Sequence, residues 1–321
     1  MSAVRQQGSV IYLNVSGHWY YYDERSKPLG SGAMGVVYLG YSQATHERVA
    51  IKRVIDKYAN IQSIRNKAKV EASLMFRHHN LVEMIGCCEV APDKGPIFII
   101  SKYVSGQNID NFVKFHFPKF GIERTKRICT MFYPVLDALT YIHYSNIVHL
   151  DIKPSNIMVE NGNNVRLMDL GISHVDEKIN TNGKIELMGT PKYAAPEQFD
   201  ITPETKLTAQ TDIYEAGVTL FELLSSFNPF IADSLKSSYH KHKYTYLPYV
   251  QGVPDGLIDV LRIATSPAAA NRFKTAADFK TAIIKSLIPK KKRFNILKLS
   301  LIICAILAVF AILAFLLLYQ R

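Results

Sequence analysis

The chain has 321 residues, enough for two domains or for one large domain with its own core. Its apolar content of 48% is ordinary for a globular protein, and its formal net charge is +11. Lys285, Lys290, Lys291, Lys292, Arg293, Lys298 and Arg321 supply most of that excess and leave +4 elsewhere, so the basicity gives no support to a nucleic-acid-binding role.

Residues 10–23, "VIYLNVSGHWYYYD", hold two β-rich runs separated by Ser16 and Gly17, the pattern of a hairpin. In "LGSGAMGVVYLG", Gly30, Gly32, Gly35 and Val37 fit the spacing G-x-G-x-x-G-x-V. Glycines let a backbone approach phosphates closely, although a ligand-free turn or a dinucleotide-binding fold can show the same spacing. A dinucleotide fold needs a helix directly after the glycines. Here Val36-Val37-Tyr38-Leu39 follows, which predicts a hairpin lid, and the absence of G-x-x-x-x-G-K-[ST] excludes a P-loop NTPase. Strand-like runs lie at 36–41, 48–54, 83–90 and 97–103, with one helical stretch at 60–77. In "VAIKRV" (49–54), strand alternation points Lys52 away from Ile51.

From residue 104 the pattern turns helical. The stretch 125–145 has apolar residues at helical spacing, with a kink or local break expected at Pro134. The stretch 211–225 is apolar almost all round, as for a buried helix. "GLIDVLRIAT" and "AADFKTAIIKSL" add two amphipathic helices. A β-rich lobe followed by a helical one implies a cleft near 101–106. Residues 299–319 form an uncharged run of 21 residues, roughly 31 Å as a helix at about 1.5 Å per residue, which matches a bilayer core. From Lys285 to Lys298 there are six basic residues and no acid, which places that flank on the cytoplasmic side and against anionic lipid. Cys87, Cys88, Cys129 and Cys304 lack metal-type spacing and read as reduced structural thiols.

Chemistry-bearing residues gather in "HLDIKPSNIMV" (149–159), "MDLG" (168–171) and "GTPKYAAPE" (189–197). Together with the glycine run and Lys52, in this order and spacing, they resemble the eukaryotic-type (Hanks-type) Ser/Thr protein kinases over roughly residues 20–287. The resemblance implies an α+β, bilobal protein-kinase fold, with a small β-rich N-lobe carrying one helix and a larger helical C-lobe, to which the apolar run 299–319 adds one transmembrane helix. The corresponding boundaries are 1–103 for the N-terminal lobe with its preceding hairpin, 104–288 for the C-terminal lobe, 289–298 for a basic juxtamembrane segment and 299–319 for the membrane helix.

It also implies ATP and Mg2+, with Mn2+ as an alternative metal, and protein substrates with Ser or Thr acceptors. Phosphoryl transfer is mostly positioning and charge neutralisation. Asp151 would accept or orient the hydroxyl proton, Lys153 would place a charge near the γ-phosphate, and Asn156 and Asp169 would bind metal. Lys52 would grip the α- and β-phosphates, held by Glu71 on helix 60–77, with Leu74 and Met75 facing the core. Gly30, Ser31, Gly32, Ala33, Met34 and Gly35 would cover the phosphates. Val37, Ala50 and Met158 would sandwich adenine, Lys102, Tyr103 and Val104 would form the hinge, Ser101 would be a small gatekeeper, and Asn108 would touch the ribose. Glu197 and Arg272 would form a buried ion pair, and Asp212 would tether the catalytic loop.

Two residues depart from the pattern: Leu170 stands where Phe is commoner, and Leu150 where many kinases place a phosphate-reading arginine. The leading expectation is a membrane-anchored kinase facing the cytoplasm, able to self-associate and phosphorylate itself. A pseudokinase scaffold is the alternative, although Lys52, Asp151, Asn156 and Asp169 are all retained. "GTPKYAAPE" speaks against a small-molecule kinase. The short basic stalk suggests a bacterial plasma-membrane enzyme, with a eukaryotic tail anchor as the other option.

Overall fold

A computed structural model describes residues 3–32, 35–54, 56, 61–91, 94–161, 164–169, 189–199, 202, 204–289, 307–310 and 312. They belong to two units, Met1–Leu287 and Ile288–Arg321.

The first unit opens with three antiparallel strands, β1 (Val4–Gln7), β2 (Val10–Val15) and β3 (His18–Asp23). Ser16 and Gly17 take φ values of +49° and +88°, the left-handed geometry of a two-residue hairpin turn. Then come β4 (Gly30–Ser31), β5 (Gly35–Ser42), β6 (Arg48–Val54), helix α1 (Gln62–Ser73), β7 (Met84–Ala91) and β8 (Lys94–Lys102). The strands form one sheet in the order β1-β2-β3-β5-β6-β8-β7, with β4 paired to β5.

Strand alternation gives the sheet two apolar faces. Ile11, Leu13, Val15, Tyr22, Val49, Ile51, Cys88, Phe98 and Ile100 pack into one core. Val54, Met84, Ile97 and Ile99 pack with Ala68 and Ala72 of α1 into another. The hairpin β2–β3 therefore covers a sheet face that does not meet α1. Strand β1, not predicted from the sequence, extends the edge. Helix α1 ends four residues before the predicted residue 77, which alters one expectation: Met75 lies beyond the helix and is 65% exposed. Leu74 packs partly against the core of the helical lobe.

The helical lobe begins with β9 (Gly106–Asn108), α2 (Ile109–His116) and α3 (Ile122–Tyr144). Helix α3 runs through Pro134 without a break in its assigned span. The proline removes the donor for the Thr130 carbonyl, and Thr130 is exposed, so water can take that bond. A 3-10 turn (Pro154–Asn156), β10 (Ile157–Glu160) and β11 (Asn164–Leu167) follow, and β11-β10-β9 form a small sheet. The remaining helices are α4 (Pro196–Phe199), α5 (Ala209–Ser225), α6 (Leu235–Tyr244), α7 (Asp255–Ala264) and α8 (Ala276–Ser286). Helix α5, buried nearly all round, forms the centre of the core with α3, α7 and α8.

In the second unit, residues 307–310 and 312 are helical. No helix among the described residues is long and apolar enough to cross a membrane. The rest of the predicted span 299–319 lies outside the described residues, as do Ala33, Met34, Leu170, Ser173 and Thr181.

Candidate active site

Helix α5 supports the site. Its first turn is fixed by Thr208, whose hydroxyl accepts from the Gln210 amide at 3.3 Å. That start places Asp212, fully buried, under the loop that precedes Asp151. Asp212 accepts the backbone amides of His149 and Leu150, each at 2.8 Å, and the His143 ring at 2.8 Å. The tether expected of Asp212 is present. One turn further, Glu215 accepts the Ile152 amide at 2.7 Å, and the Thr219 hydroxyl donates to the Ile152 carbonyl at 2.9 Å.

On this support, Asp151, Lys153 and Thr190 close a triangle. Lys153 Nζ lies 2.6 Å from Asp151 Oδ2 and donates to Thr190 Oγ1 at 2.7 Å, while the Thr190 hydroxyl donates to Asp151 Oδ1 at 2.7 Å. Asn156 Nδ2 donates to the Asp151 carbonyl at 2.9 Å and to its carboxylate at 3.1 Å. Burial pushes the Asp151 carboxyl up, but Lys153 and the Thr190 hydroxyl outweigh it, and the net shift is downward. Asp151 is thus kept ionised. The Asn156 amide nitrogen is committed to Asp151, while its side-chain oxygen has no hydrogen-bond partner among the described residues.

Lys52 lies 3.7 Å from Asp169, its side chain about one quarter exposed. Asp169 and then Glu71 raise the Lys52 pKa and hold its charge. Glu71 is buried; burial pushes its carboxyl up, with Lys52 opposing. The ion-pair contact of Lys52 is therefore with Asp169, and Glu71 acts on it only through space. Asp169 takes φ +46°, a backbone conformation uncommon outside glycine.

The glycine segment is a hairpin, with Gly30 opposite Val37 and Ser31 opposite Val36. A Cβ on Gly35 would meet the Arg53 carbonyl at 2.8 Å, so strand packing demands that glycine. A Cβ on Gly30 or Gly32 would meet nothing within 4 Å among the described residues, so packing there gives no reason for them. Val37 lies opposite Lys52, and Ala50 opposite Leu39 and Ser101. Ser101 is half-buried between Ala50 and Met84. In the hinge, Lys102 pairs with Glu83 at 2.7 Å, Arg48 lies 4.9 Å from the centre of the Tyr103 ring, and Val104 is buried. Met158 lies opposite Asn108, whose side-chain oxygen is buried without a hydrogen-bond partner among the described residues.

These features fit the expected nucleotide and metal. An orphaned buried oxygen at Asn108 can receive a hydroxyl donor. Asn156 and Asp169 offer hard oxygen donors, and Mg2+ needs few protein ligands because phosphate and water complete its shell. No group of three or more His, Cys, Asp or Glu side chains suited to a metal occurs among the described residues.

Glu197 and Arg272 form the expected pair, at 2.6 and 2.9 Å through the two terminal guanidinium nitrogens. The sequence reading missed three residues. Gln198 is buried, accepts the Ala195 amide at 2.6 Å and donates to the Leu150 carbonyl at 3.3 Å. His242 is buried and bonds the Pro191 carbonyl at 2.8 Å. Glu215 is the third; an acid inside an apolar helix was the visible sign of it.

A β-rich lobe and a helical lobe, with a buried aspartate holding an acid–lysine–asparagine loop, define the protein-kinase architecture. The chain belongs to the protein kinase family, whose protein kinase domain model matches residues 23–291. It is 29% identical over 280 residues to the serine/threonine-protein kinase PrkC of Bacillus subtilis, covering 84% of this chain and 41% of that one. It is 28% identical over 268 residues to the serine/threonine-protein kinase PknB of Mycobacterium leprae, covering 80% and 42%. The chain therefore spans about two fifths of the length of these relatives. The crystal structure of a double mutant of the Mycobacterium tuberculosis PknI kinase domain superposes with a TM-score of 0.64, at 21% identity, over 88% of this chain and 99% of that one.

Proposed function

We propose that the chain is an ATP-dependent Ser/Thr protein kinase, held at a membrane by its C-terminal apolar run with the catalytic unit on the cytoplasmic side. The observation that carries the catalytic reading is the Asp151–Lys153–Thr190 triangle, set beside Lys52–Asp169. A Ser or Thr hydroxyl of a substrate would replace the Thr190 hydroxyl as donor to Asp151, which takes up or orients its proton. Lys153, already within reach of both groups, stays beside the reacting oxygen. Lys52 would hold the α- and β-phosphates, and Asn156 with Asp169 would hold Mg2+. The metal, when bound, supplies neutralisation of charge on the transferring phosphoryl group. The membrane reading rests on residues 299–319 and their basic flank.

The test is phosphate transfer from Mg·ATP to a Ser/Thr protein substrate or to the chain itself. Asp151→Asn and Lys52→Met should each lower the rate by about 10²–10⁴-fold without loss of fold. ATP binding without transfer by the parent chain would sink the catalytic reading in favour of a scaffold.

A further inference from the structure

Helix α5 presents three polar side chains to the loop that carries Asp151. Asp212 and Thr219 each have a full complement of loop partners. Glu215, between them, is fully buried, and one of its oxygens holds the Ile152 amide at 2.7 Å. Its other oxygen has no hydrogen-bond partner among the described residues, although the Gln198 amide lies beside it. That oxygen also lies where the segment bearing Thr190 meets the loop. A Cβ on Gly189, at φ +106°, would come within 2.8 Å of the Leu150 carbonyl, 3.0 Å of the Gln198 amide and 3.5 Å of this oxygen. Glu215 therefore touches the loop directly and borders the segment that supplies the third corner of the triangle.

We propose that Glu215 is a positioning residue: by fixing the Ile152 amide it holds the Asp151–Lys153 stretch in register with Thr190. The proposal rests on the kinase reading for its kinetic consequence but not for its structural one. A buried amide without an acceptor is destabilising, and nothing else on α5 reaches this one. Only the acceptor oxygen is required, not a charge. Burial, Asp212 and Asp151 all raise the Glu215 pKa, favouring the protonated acid. A neutral amide of the same length should therefore serve equally well.

The test compares Glu215→Gln and Glu215→Ala in the full chain, by phosphotransfer kinetics and by hydrogen exchange at the Ile152 amide. Glu215→Ala should lower kcat by about 100-fold with KM for ATP unchanged within about twofold, because misplacement strikes the reacting groups and not the nucleotide. The Ile152 amide should exchange faster in that variant. Glu215→Gln should restore both readouts. If the alanine variant does not fold, Glu215→Asp, one methylene shorter, takes its place. Parental kcat and exchange in the shortened variant would overturn the proposal, as would a folded Glu215→Gln that fails as badly as alanine. If the parent chain transfers no phosphate, the kinase reading fails, and the exchange comparison still decides whether Glu215 holds the loop.

Discussion

Leu150 is used through its backbone. Its amide donates to Asp212 and its carbonyl accepts from Gln198, while φ of +63° places it in the left-handed region. That conformation is unfavourable by roughly 1–2 kcal/mol for a non-glycine residue, and the two buried hydrogen bonds offset it. Its side chain, 1% exposed and without a donor, cannot hold a phosphate group. Phosphorylation of Ser173 or Thr181 would thus have no reader at this position. The doubly substituted Ser173→Ala, Thr181→Ala chain should keep its phosphotransfer rate within about threefold of the parent, since no arginine here can reward the added charge. A hundredfold loss in the same assay would show that another group reads the phosphate.

Between elements, the segment around Thr190 is held at two points by groups remote in sequence. At its C-terminal end Arg272, fully buried, clasps Glu197 and also donates to three backbone carbonyls, those of Gln210, Ser266 and Pro267. Glu197→Ala should destabilise the chain by about 3–5 kcal/mol in urea unfolding, because the guanidinium stays buried with its charge uncompensated. Near its middle, His242 of α6 holds the Pro191 carbonyl. A carbonyl only accepts, so Nε2 carries the hydrogen and Nδ1, 2.8 Å from the Tyr214 hydroxyl, accepts. Burial lowers the His242 pKa from 6.5 to about 4. A lowered folded-state value means stability is present above pH 6.5 and lost as pH falls towards 4, by about 3 kcal/mol in all. His242→Gln should remove close to one proton from the pH dependence of urea stability in that window; an unchanged slope would refute the assignment.

These ties mark what the sequence could and could not reveal. The hairpin at 10–23 and the buried helix at 211–225 were legible because local period and turn residues state them. Asp151, Lys153 and Asn156 share one short loop, and their grouping was visible too. The bonds of Gln198 to Leu150 and of His242 to Pro191 span 48 and 51 positions, and no periodicity carries such information. The end of α1 was misplaced because Leu74 and Met75 continue an apolar pattern past the point where the backbone turns extended, as it is already at Leu74.

Over the whole chain, two apolar systems include none of the candidate site residues. The first is the core beneath the N-terminal hairpin. Leu13 is fully buried there, with Ile51 beside it in the same cluster, whereas Lys52 alternates to the other face of β6. Leu13→Ala should lower stability by about 2–5 kcal/mol, while KM for ATP measured below the melting transition stays the same. A changed KM would mean that the hairpin communicates with the cleft. The second is the run 299–319, about 30 Å long as a helix, following six basic residues. Each Lys or Arg near an anionic surface contributes about 1 kcal/mol and is screened by salt, but a spanning helix does not depend on charge. The two contributions separate in vesicle flotation. The full chain should float with both neutral and anionic vesicles and stay bound at high salt. A chain ending at residue 298 should float only with anionic vesicles and detach as salt rises. Release of the full chain by salt would reduce the membrane association to the basic stalk, and the apolar run would then need another burial partner.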